Sequence, residues 1–307
     1  LIYISYINYL KKIVIKIILK VVIKFTSIIR NIIFFTNFNG YVFKRINRYG
    51  PFKIHIYFLF SDFKRWGTNY TRVNVEHKKI LNLYKTKNVS LFPLLIKTSS
   101  KINSFIDIGA HIGLVSLPIS NSMSNKSKIY SIEPSDINYK MLSYHVKKNK
   151  IKNISTHKIL LGDRNLPKIK FYENKIPDGM NNLYNYTKKG KKLFENYIEM
   201  MTLDNFCKSY NLIPELVKID VEGSEIDIFN GSKKLLENGN TIFFVSIHLK
   251  QLNYAKKNID ELKKIMSSYS YNFYDGEFNV QNEINSQEYM ILNKKTYNIM
   301  LDINAKN

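Results

Sequence analysis

Cysteine is almost absent from this chain of 307 residues, because Cys207 is its only one. A single cysteine excludes an intrachain disulfide and any zinc site built from several cysteines. The sequence therefore suits a reducing compartment, and we expect the protein in the cytoplasm.

Acidic residues are also scarce, with 24 Asp and Glu against 47 Lys and Arg and a formal net charge of +23. Such an excess is typical of proteins that bind nucleic acid or an anionic membrane. The lysines are spread along the whole chain with many Asn and Ile, however, which indicates a uniform compositional bias and not a local binding surface. An RNA-binding protein or RNA methyltransferase is an alternative function that rests on this net charge alone.

The apolar N-terminal segment, residues 1–43, contains no uncharged run of the roughly 18 residues that span a membrane. Lysines interrupt it every four residues, at Lys12, Lys16, Lys20 and Lys24. This spacing places them on one side of a helix. We expect a basic amphipathic helix that contacts the inner membrane surface or a partner, and the alternative is a helix that packs on the core with solvated lysines.

Turn signals and the change in composition divide the chain into three parts. Residues 1–49 form the basic N-terminal segment, and residues 50–100 are a lead-in of strand and helix. Within this lead-in we predict a strand over residues 52–60, an aromatic loop over residues 66–70 that begins at Trp66, and a helix over residues 72–95. Residues 101–307 form an α/β domain.

The centre of that domain is a buried strand that runs into a glycine turn and a helix, over residues 103–117. Phe105, Ile106 and Ile108 are the apolar residues of a strand covered on both faces. Asp107 lies near the strand's carboxyl end, where α/β sheets bind their ligands.

The turn has the spacing Asp-x-Gly-x-x-x-Gly, with its glycines at Gly109 and Gly113. It lacks a glycine of the Gly-x-Gly-x-x-Gly pattern, which argues against NAD. An acid at this turn suits a ligand with a cationic amino-acid end, and S-adenosylmethionine is such a ligand. An ordinary strand-to-helix connection is the alternative interpretation.

Strands and helices alternate after the turn, which predicts a mostly parallel sheet covered on both faces. We predict strands over residues 127–133, 154–161, 216–221 and 241–248, and helices over 136–150, 224–237 and 259–268. Residues 168–172 and 197–201 form a pair in an irregular insertion, and residues 271–274 and 288–293 close the sheet as an antiparallel pair.

Two further acids follow predicted strands. Glu133 is placed to accept hydrogen bonds from both hydroxyls of a ribose. Gly162 and Asp163 follow the next strand and are placed to take an adenine amino group. The alternatives are a helix N-terminal acid for Glu133 and an ordinary Gly-Asp turn for the second pair.

Over about residues 101–293 the chain resembles the FkbM family of S-adenosylmethionine-dependent methyltransferases. The most specific motif is Lys-Ile-Asp-Val-Glu-Gly-Ser-Glu at 218–225, and the others are Phe-Ile-Asp-Ile-Gly-Ala-His-Ile-Gly at 105–113, Ile-Glu-Pro at 132–134 with Asn149 downstream, Leu-Gly-Asp at 161–163, Thr-Leu-Asp at 202–204 and Ile-His at 247–248. Ser246 stands where the family often has an acid before Ile-His, and His111 stands where it more often has Asn.

The resemblance implies a Rossmann-like α/β fold: a seven-stranded methyltransferase sheet that is mostly parallel with an antiparallel C-terminal strand. It also implies S-adenosylmethionine as the cofactor and O-methylation of a sugar, glycan or related small molecule. The residues assigned to the cofactor are Asp107, Gly109, His111, Gly113, Glu133, Gly162, Asp163 and Asp220.

For catalysis we assign His248, Asp220 and Glu222. The spacing of two between Asp220 and Glu222 predicts that both acids lie on one side of the strand, at its carboxyl end. Methyl transfer to a hydroxyl requires alignment of the oxygen and removal of its proton. We predict that His248 takes the proton and that Asp220 orients either the histidine or the substrate, with Lys218 neutralising the carboxylates. The alternatives are a core histidine for His248 and helix N-terminal charge for Glu222. Two carboxylates and a histidine could also hold Mg²⁺, but their spacing assigns no metal.

Overall fold

The computed structural model describes residues 43–46, 56–59, 91–174, 178–186 and 193–305. The chain divides into two compact units, Leu1–Ile80 and Leu81–Asn307, and each is described by itself. The predicted basic helix over residues 1–43, the Trp66 loop and most of the predicted helix over residues 72–95 lie outside the described residues.

In the first unit the described residues form one antiparallel pair, β1 (Phe43–Ile46) and β2 (Ile56–Leu59). Strand β2 falls inside the strand predicted for residues 52–60.

The second unit contains a seven-stranded sheet. Its strands are β3 (Ser104–Ile108), β4 (Lys128–Ile132), β5 (Ile154–His157), β9 (Leu216–Ile219), β10 (Ile242–Ser246), β11 (Asn272–Tyr274) and β12 (Glu288–Leu292). Their order across the sheet is β11-β12-β10-β9-β3-β4-β5. Five of them run parallel to one another: β10, β9, β3, β4 and β5. Strand β12 pairs antiparallel with both β10 and β11. This is the predicted mostly parallel sheet with an antiparallel C-terminal strand.

The helices of the second unit are α1 (Phe92–Ser99), α2 (Ser116–Ser122), α3 (Asp136–Lys148), α4 (Leu203–Ser209), α5 (Glu225–Asn230), α6 (Lys233–Asn238), α7 (Leu249–Tyr254), α8 (Ile259–Ser268) and α9 (Lys294–Ala305). No helix among the described residues is long and apolar enough to cross a membrane.

The central strands of this sheet are buried on both faces, because their neighbouring residues point to opposite sides and each side packs into an apolar cluster. On β3, Phe105 packs into a cluster with Ile119 of α2 and Met300 of α9. Ile106 packs into the other cluster, with helices that include α4 and α8. Continuous apolar strands therefore identify this sheet in the sequence.

A second sheet carries the irregular insertion. It consists of β6 (Leu160–Leu161), β7 (Leu166–Glu173) and β8 (Phe194–Met201) in the order β6-β8-β7. The predicted pairing of residues 168–172 with 197–201 is present as the antiparallel β7 and β8. The strand predicted for residues 154–161, however, is two strands in two sheets: β5 pairs with β4, and β6 pairs with β8.

The helix predicted for residues 224–237 is also divided, into α5 and α6. Gly231 and Ser232 separate them. At Gly231 a Cβ atom would lie 2.1 Å from the carbonyl oxygen of Gly162. The backbone at Gly162, just after β6, therefore leaves no room for a side chain at Gly231, where the chain turns from α5 to α6.

Candidate functional site

The site lies where the strand order of the large sheet reverses. Strand β3 is followed by β4 and β5 on one side, while β9 and β10 lie on its other side. Crevices at such a reversal, outside the carboxyl ends of the strands, are the usual ligand sites of open α/β sheets. Asp107 of β3 is paired in register with Lys218 of β9, so the central turn and the 218–225 motif meet at this edge.

The turn after β3 depends on its glycines. Gly109 and Gly113 have φ values of 76° and 94°, which L side chains rarely adopt. A Cβ atom on Gly109 would lie 1.9 Å from the backbone oxygen of Asp220. The glycine is therefore required by the close approach of the β3 turn to the end of β9.

Asp107 lies beneath the turn with no exposed surface. One carboxylate oxygen accepts a 2.5 Å hydrogen bond from Ser116 Oγ, and the other, Oδ1, lies 3.3 Å from Lys218 Nζ. That Oδ1 atom has no conventional hydrogen bond, so we regard the contact with Lys218 as an ion pair. The role of binding a ligand's ammonium group directly stays a prediction for Asp107.

Lys218 joins Asp107 to Asp220, whose Oδ2 atom lies 3.4 Å from Nζ. Burial alone would lower the pKa of Lys218, but the charges of Asp107 and Asp220 outweigh it and raise the pKa. Burial likewise would raise the pKa of Asp220, and the charges of Lys218 and His248 lower it instead. The predicted neutralising role of Lys218 agrees with these contacts.

Glu133 follows β4 and is only 5% exposed. Its carboxylate accepts hydrogen bonds from the backbone N–H groups of His111 at 2.8 Å and Ser135 at 2.9 Å, and from Asn138 Nδ2 at 3.3 Å. Burial raises the pKa of Glu133 to about 7, because these donors only partly offset the loss of water. The carboxylate is thus fixed in orientation and close to its ionisation point at neutral pH.

His111 contributes its backbone to this arrangement. Its φ of 51° lies in the left-handed region, where Asn and His are more frequent than most residues. Burial lowers the pKa of its ring to about 4, so the ring is neutral at physiological pH. The backbone N–H of His111 links the glycine turn to Glu133.

Gly162 and Asp163 follow β6 of the small sheet and not a strand of the large one. Asp163 is exposed, and its Oδ1 atom lies 3.8 Å from Nε of Arg164. The expectation that this pair ends the third strand of the large sheet is therefore wrong, because the chain leaves that sheet after His157. Its contact with adenine stays a prediction.

The insertion is held against the large sheet's helices by buried polar contacts. Tyr184 donates a 2.6 Å hydrogen bond from its hydroxyl to Asp227 of α5, which also pairs with Lys257. Asn138 of α3 donates to the carbonyl of Asp178 at 3.0 Å. Residues 178–186 are therefore anchored to the beginnings of two helices that follow sheet strands.

Asp220, Glu222 and His248 converge at the ends of β9 and β10. Nε2 of His248 lies 3.6 Å from Asp220 Oδ1 and 3.8 Å from Glu222 Oε1. Asp220 and Glu222 do not lie on one side of a strand as predicted, because β9 ends at Ile219. A turn brings them together instead, in which Glu222 adopts a φ of 52°.

Two residues outside the predicted set orient this group. Glu225, with no exposed surface, has its Oε1 atom 2.8 Å from His248 Nδ1. Gln251 donates a 2.6 Å hydrogen bond to Glu222 Oε2. Glu225 belongs to the motif at 218–225 and could have been found from it, whereas nothing in the sequence marks Gln251.

The electrostatic state of His248 follows from these acids. Burial would lower the pKa of its ring, but the hydrogen bond with Glu225 and the charges of Glu222, Glu225 and Asp220 raise it to about 9. Burial raises the pKa of the Glu222 carboxyl. At neutral pH the ligand-free site therefore holds His248 mainly as a cation among carboxylates.

The family model described as "Methyltransferase FkbM domain" matches residues 107–273, more than half of the chain and the whole of the site described above. The chain belongs to the FkbM methyltransferase family. The match with the family predicted from the motifs is thereby confirmed.

Solved structures similar to this FkbM domain include the methyltransferase FkbM from Methylobacillus flagellatus KT, with 16% identity and a TM-score of 0.40 over 62% of this chain and 42% of that one. A putative caffeoyl-CoA O-methyltransferase from Staphylococcus aureus has 11% identity and a TM-score of 0.41 over 75% of this chain and 96% of that one. The chain thus spans less than half the length of the Methylobacillus protein. No match to curated proteins was found.

Within the FkbM domain the Thr-Leu-Asp motif at 202–204 has a structural role. Thr202 caps α4, with its hydroxyl accepting from the N–H of Asn205 at 3.1 Å. The Asp204 carboxylate accepts from the N–H groups of Lys234 and Leu235 at the start of α6. This motif therefore fixes two helix starts behind the site.

Proposed function

We propose that this FkbM-family protein transfers a methyl group from S-adenosylmethionine to a hydroxyl of a sugar, glycan or related small molecule. The observation that carries the proposal is the convergence of Asp220, Glu222 and His248 beside the Gly109 turn. This places groups that can hold a hydroxyl and its proton next to the crevice where the sheet order reverses.

The residues of the crevice fit the cofactor. Glu133 presents a carboxylate already held by three donors, and a carboxylate has about four acceptor positions, so capacity remains for a ribose hydroxyl. Asp220, whose side chain is 39% exposed, offers an accessible negative charge to a ligand's ammonium group. Lys218 lies between Asp220 and the buried Asp107 and forms an ion pair with each.

When bound, S-adenosylmethionine supplies an electrophilic methyl group. The chain's own residues must then align the acceptor oxygen with that methyl carbon and receive the hydroxyl proton. His248 Nε2 is the acceptor of the reacting hydroxyl's proton in this proposal, while Asp220 and Glu222 orient the histidine or accept hydrogen bonds from other groups of the substrate.

His248 can accept that proton only after it has lost its own. Since its pKa is about 9 in the ligand-free chain, a small fraction is neutral at pH 7. Glu225 holds Nδ1, so the nitrogen that exchanges protons with the acceptor is Nε2.

Labelled-methyl transfer tests the proposal. Glycans, sugars and lipid extracts are offered as acceptors with labelled S-adenosylmethionine, and Asp220→Asn serves as the inactive control. We expect His248→Gln to lower turnover by about 10²–10⁴-fold with little change in cofactor affinity. His157→Gln, a change at the end of β5 outside the site, is the matched histidine control. Full turnover in His248→Gln would remove His248 from the reaction.

We also propose, from the sequence of residues 1–43, that the protein contacts anionic membranes peripherally. The spacing of Lys12, Lys16, Lys20 and Lys24 supports the proposal, since basic amphipathic helices bind such surfaces. Flotation with anionic and neutral liposomes tests it. Binding to anionic vesicles alone is expected, and a protein that ignores both vesicles contradicts it.

A further inference from the structure

We propose that Asp220 Oδ1, Glu222 Oε1 and His248 Nε2 form a binding site for a divalent cation. The proposal goes beyond methyl transfer, because cation binding can be measured without cofactor or acceptor.

The three donor atoms converge without bonding one another. All lie within 4.8 Å of each other, and they come from two segments, the turn that follows β9 and the residues that follow β10. Nε2 is 3.6 Å from Asp220 Oδ1 and 3.8 Å from Glu222 Oε1. Both separations are longer than a hydrogen bond and leave room for a shared ligand.

The separations suit an ion. With metal–donor distances of about 2.1 Å, typical of histidine and carboxylate ligands, the two separations correspond to angles of roughly 115–130° at the ion. These angles lie near those of tetrahedral and trigonal arrangements.

Each ligand is held from behind by another residue. Lys218 Nζ lies 3.4 Å from Asp220 Oδ2, Gln251 donates to Glu222 Oε2 at 2.6 Å, and Glu225 Oε1 lies 2.8 Å from His248 Nδ1. Metal-binding histidines usually have a carboxylate or carbonyl on the second ring nitrogen, which leaves the first free to coordinate. Here that carboxylate is completely buried, and its Oε2 atom has no hydrogen-bond partner.

The local charge also favours a cation. The carboxylates of Asp107, Asp220, Glu222 and Glu225 face Lys218 and His248, so four acids face two bases even when His248 is protonated. Excess negative charge in a partly buried site is unfavourable unless a cation pairs with it.

One imidazole with two carboxylates suits ions of intermediate softness, such as Mn²⁺ or Zn²⁺. Open coordination positions would face the crevice through the exposed side of Asp220. A cation on Nε2 excludes a proton there, so the proton-accepting role of His248 belongs to the cation-free protein. Assays with and without a chelator separate the two forms.

The test is a Mn²⁺ titration of the full chain after chelator treatment, with free Mn²⁺ followed by electron paramagnetic resonance. We expect one bound Mn²⁺ per chain. Glu222→Gln and His248→Gln should each weaken binding at least tenfold, whereas Glu237→Gln, an exposed glutamate of α6, should leave it unchanged. Thermal unfolding verifies that each variant is folded.

Binding of S-adenosylhomocysteine is measured on the same samples, so that loss of the cation site and failure of the proposed methyl transfer are distinguished. Two results would overturn the proposal: no Mn²⁺ bound below millimolar concentration, or equal Mn²⁺ affinity in all variants.

Discussion

Oε1 of Glu225 lies 2.8 Å from Nδ1 of His248, and the glutamate has no exposed surface. The same oxygen accepts a 3.2 Å hydrogen bond from the N–H of Gly223. A buried carboxylate fixed by backbone in this way determines both the tautomer and the ring orientation of the histidine. It thereby directs Nε2 toward Asp220 and Glu222.

Glu225→Gln should therefore impair the site, although Glu225 is not itself one of the three proposed cation ligands. We expect turnover and Mn²⁺ affinity each to fall by about 10–100-fold, as is typical for the outer partner of a functional histidine. Affinity for S-adenosylhomocysteine should change by less than about twofold, well under the 1.4 kcal/mol of a tenfold effect. Steady-state kinetics and calorimetry measure these quantities, with Glu237→Gln as control. Unchanged turnover would show that Glu225 has no part in positioning.

Lys218→Met should destabilise the fold, because Asp107 would lose its cation in a fully buried position. Breaking a buried ion pair from one side costs about 3–5 kcal/mol. Denaturant unfolding measures the loss, and Lys140→Met, which breaks an exposed pair with Asp136, should cost at most about 1 kcal/mol. Adding Asp107→Asn should restore part of the loss. A Lys218→Met protein as stable as the parent would contradict this ion-pair assignment.

Gly109→Ala should distort the crevice. The new Cβ would meet the backbone oxygen of Asp220 at 1.9 Å, and the φ of 76° is itself unfavourable for alanine. We expect a loss of at least about 2 kcal/mol in unfolding free energy and weaker S-adenosylhomocysteine binding. Gly179→Ala is the matched control, since no atom lies within 4 Å of its added Cβ. Equal behaviour of the two variants would argue against the close contact.

Cofactor affinity should depend on pH through Glu133, whose pKa burial raises to about 7. The ionised form accepts ribose hydroxyls, so bound ligand favours loss of the proton. Affinity for S-adenosylhomocysteine should therefore rise by up to about tenfold per pH unit from pH 5.5 toward 7 and level off above it. Calorimetry across this range measures it. Glu133→Gln should bind more weakly and lose this dependence, and the same slope in the variant would exclude Glu133 as its source.

The sequence predicted the large sheet well because its strands are buried on both faces and read as apolar runs, as in Phe105 to Ile108. It failed where sequence neighbours separate in space. No Gly, Pro or Asn interrupts Ile154 to Leu161, yet the chain changes sheets after His157. Helix α9 has mixed composition and was not predicted, although Met300 and Ile303 complete a core cluster.

The outline of the site could be predicted because its residues follow strands that were themselves predicted. Asp220 and Glu222 follow one strand and His248 follows the next, so the edge of a parallel sheet brings them together. The reason given for the two acids was incomplete, since a turn with Glu222 at positive φ aligns them. Contacts such as Gln251 with Glu222 join residues 29 positions apart, and no local pattern encodes them.

We propose that the crevice between β3 and β9 binds S-adenosylmethionine. Calorimetric titration of the folded full chain with S-adenosylhomocysteine tests this directly. We expect saturable binding of one ligand per chain, with Asp107→Ala much weaker and Glu133→Ala weaker by a few kcal/mol at most. Absence of binding by a folded chain at high micromolar ligand would contradict it.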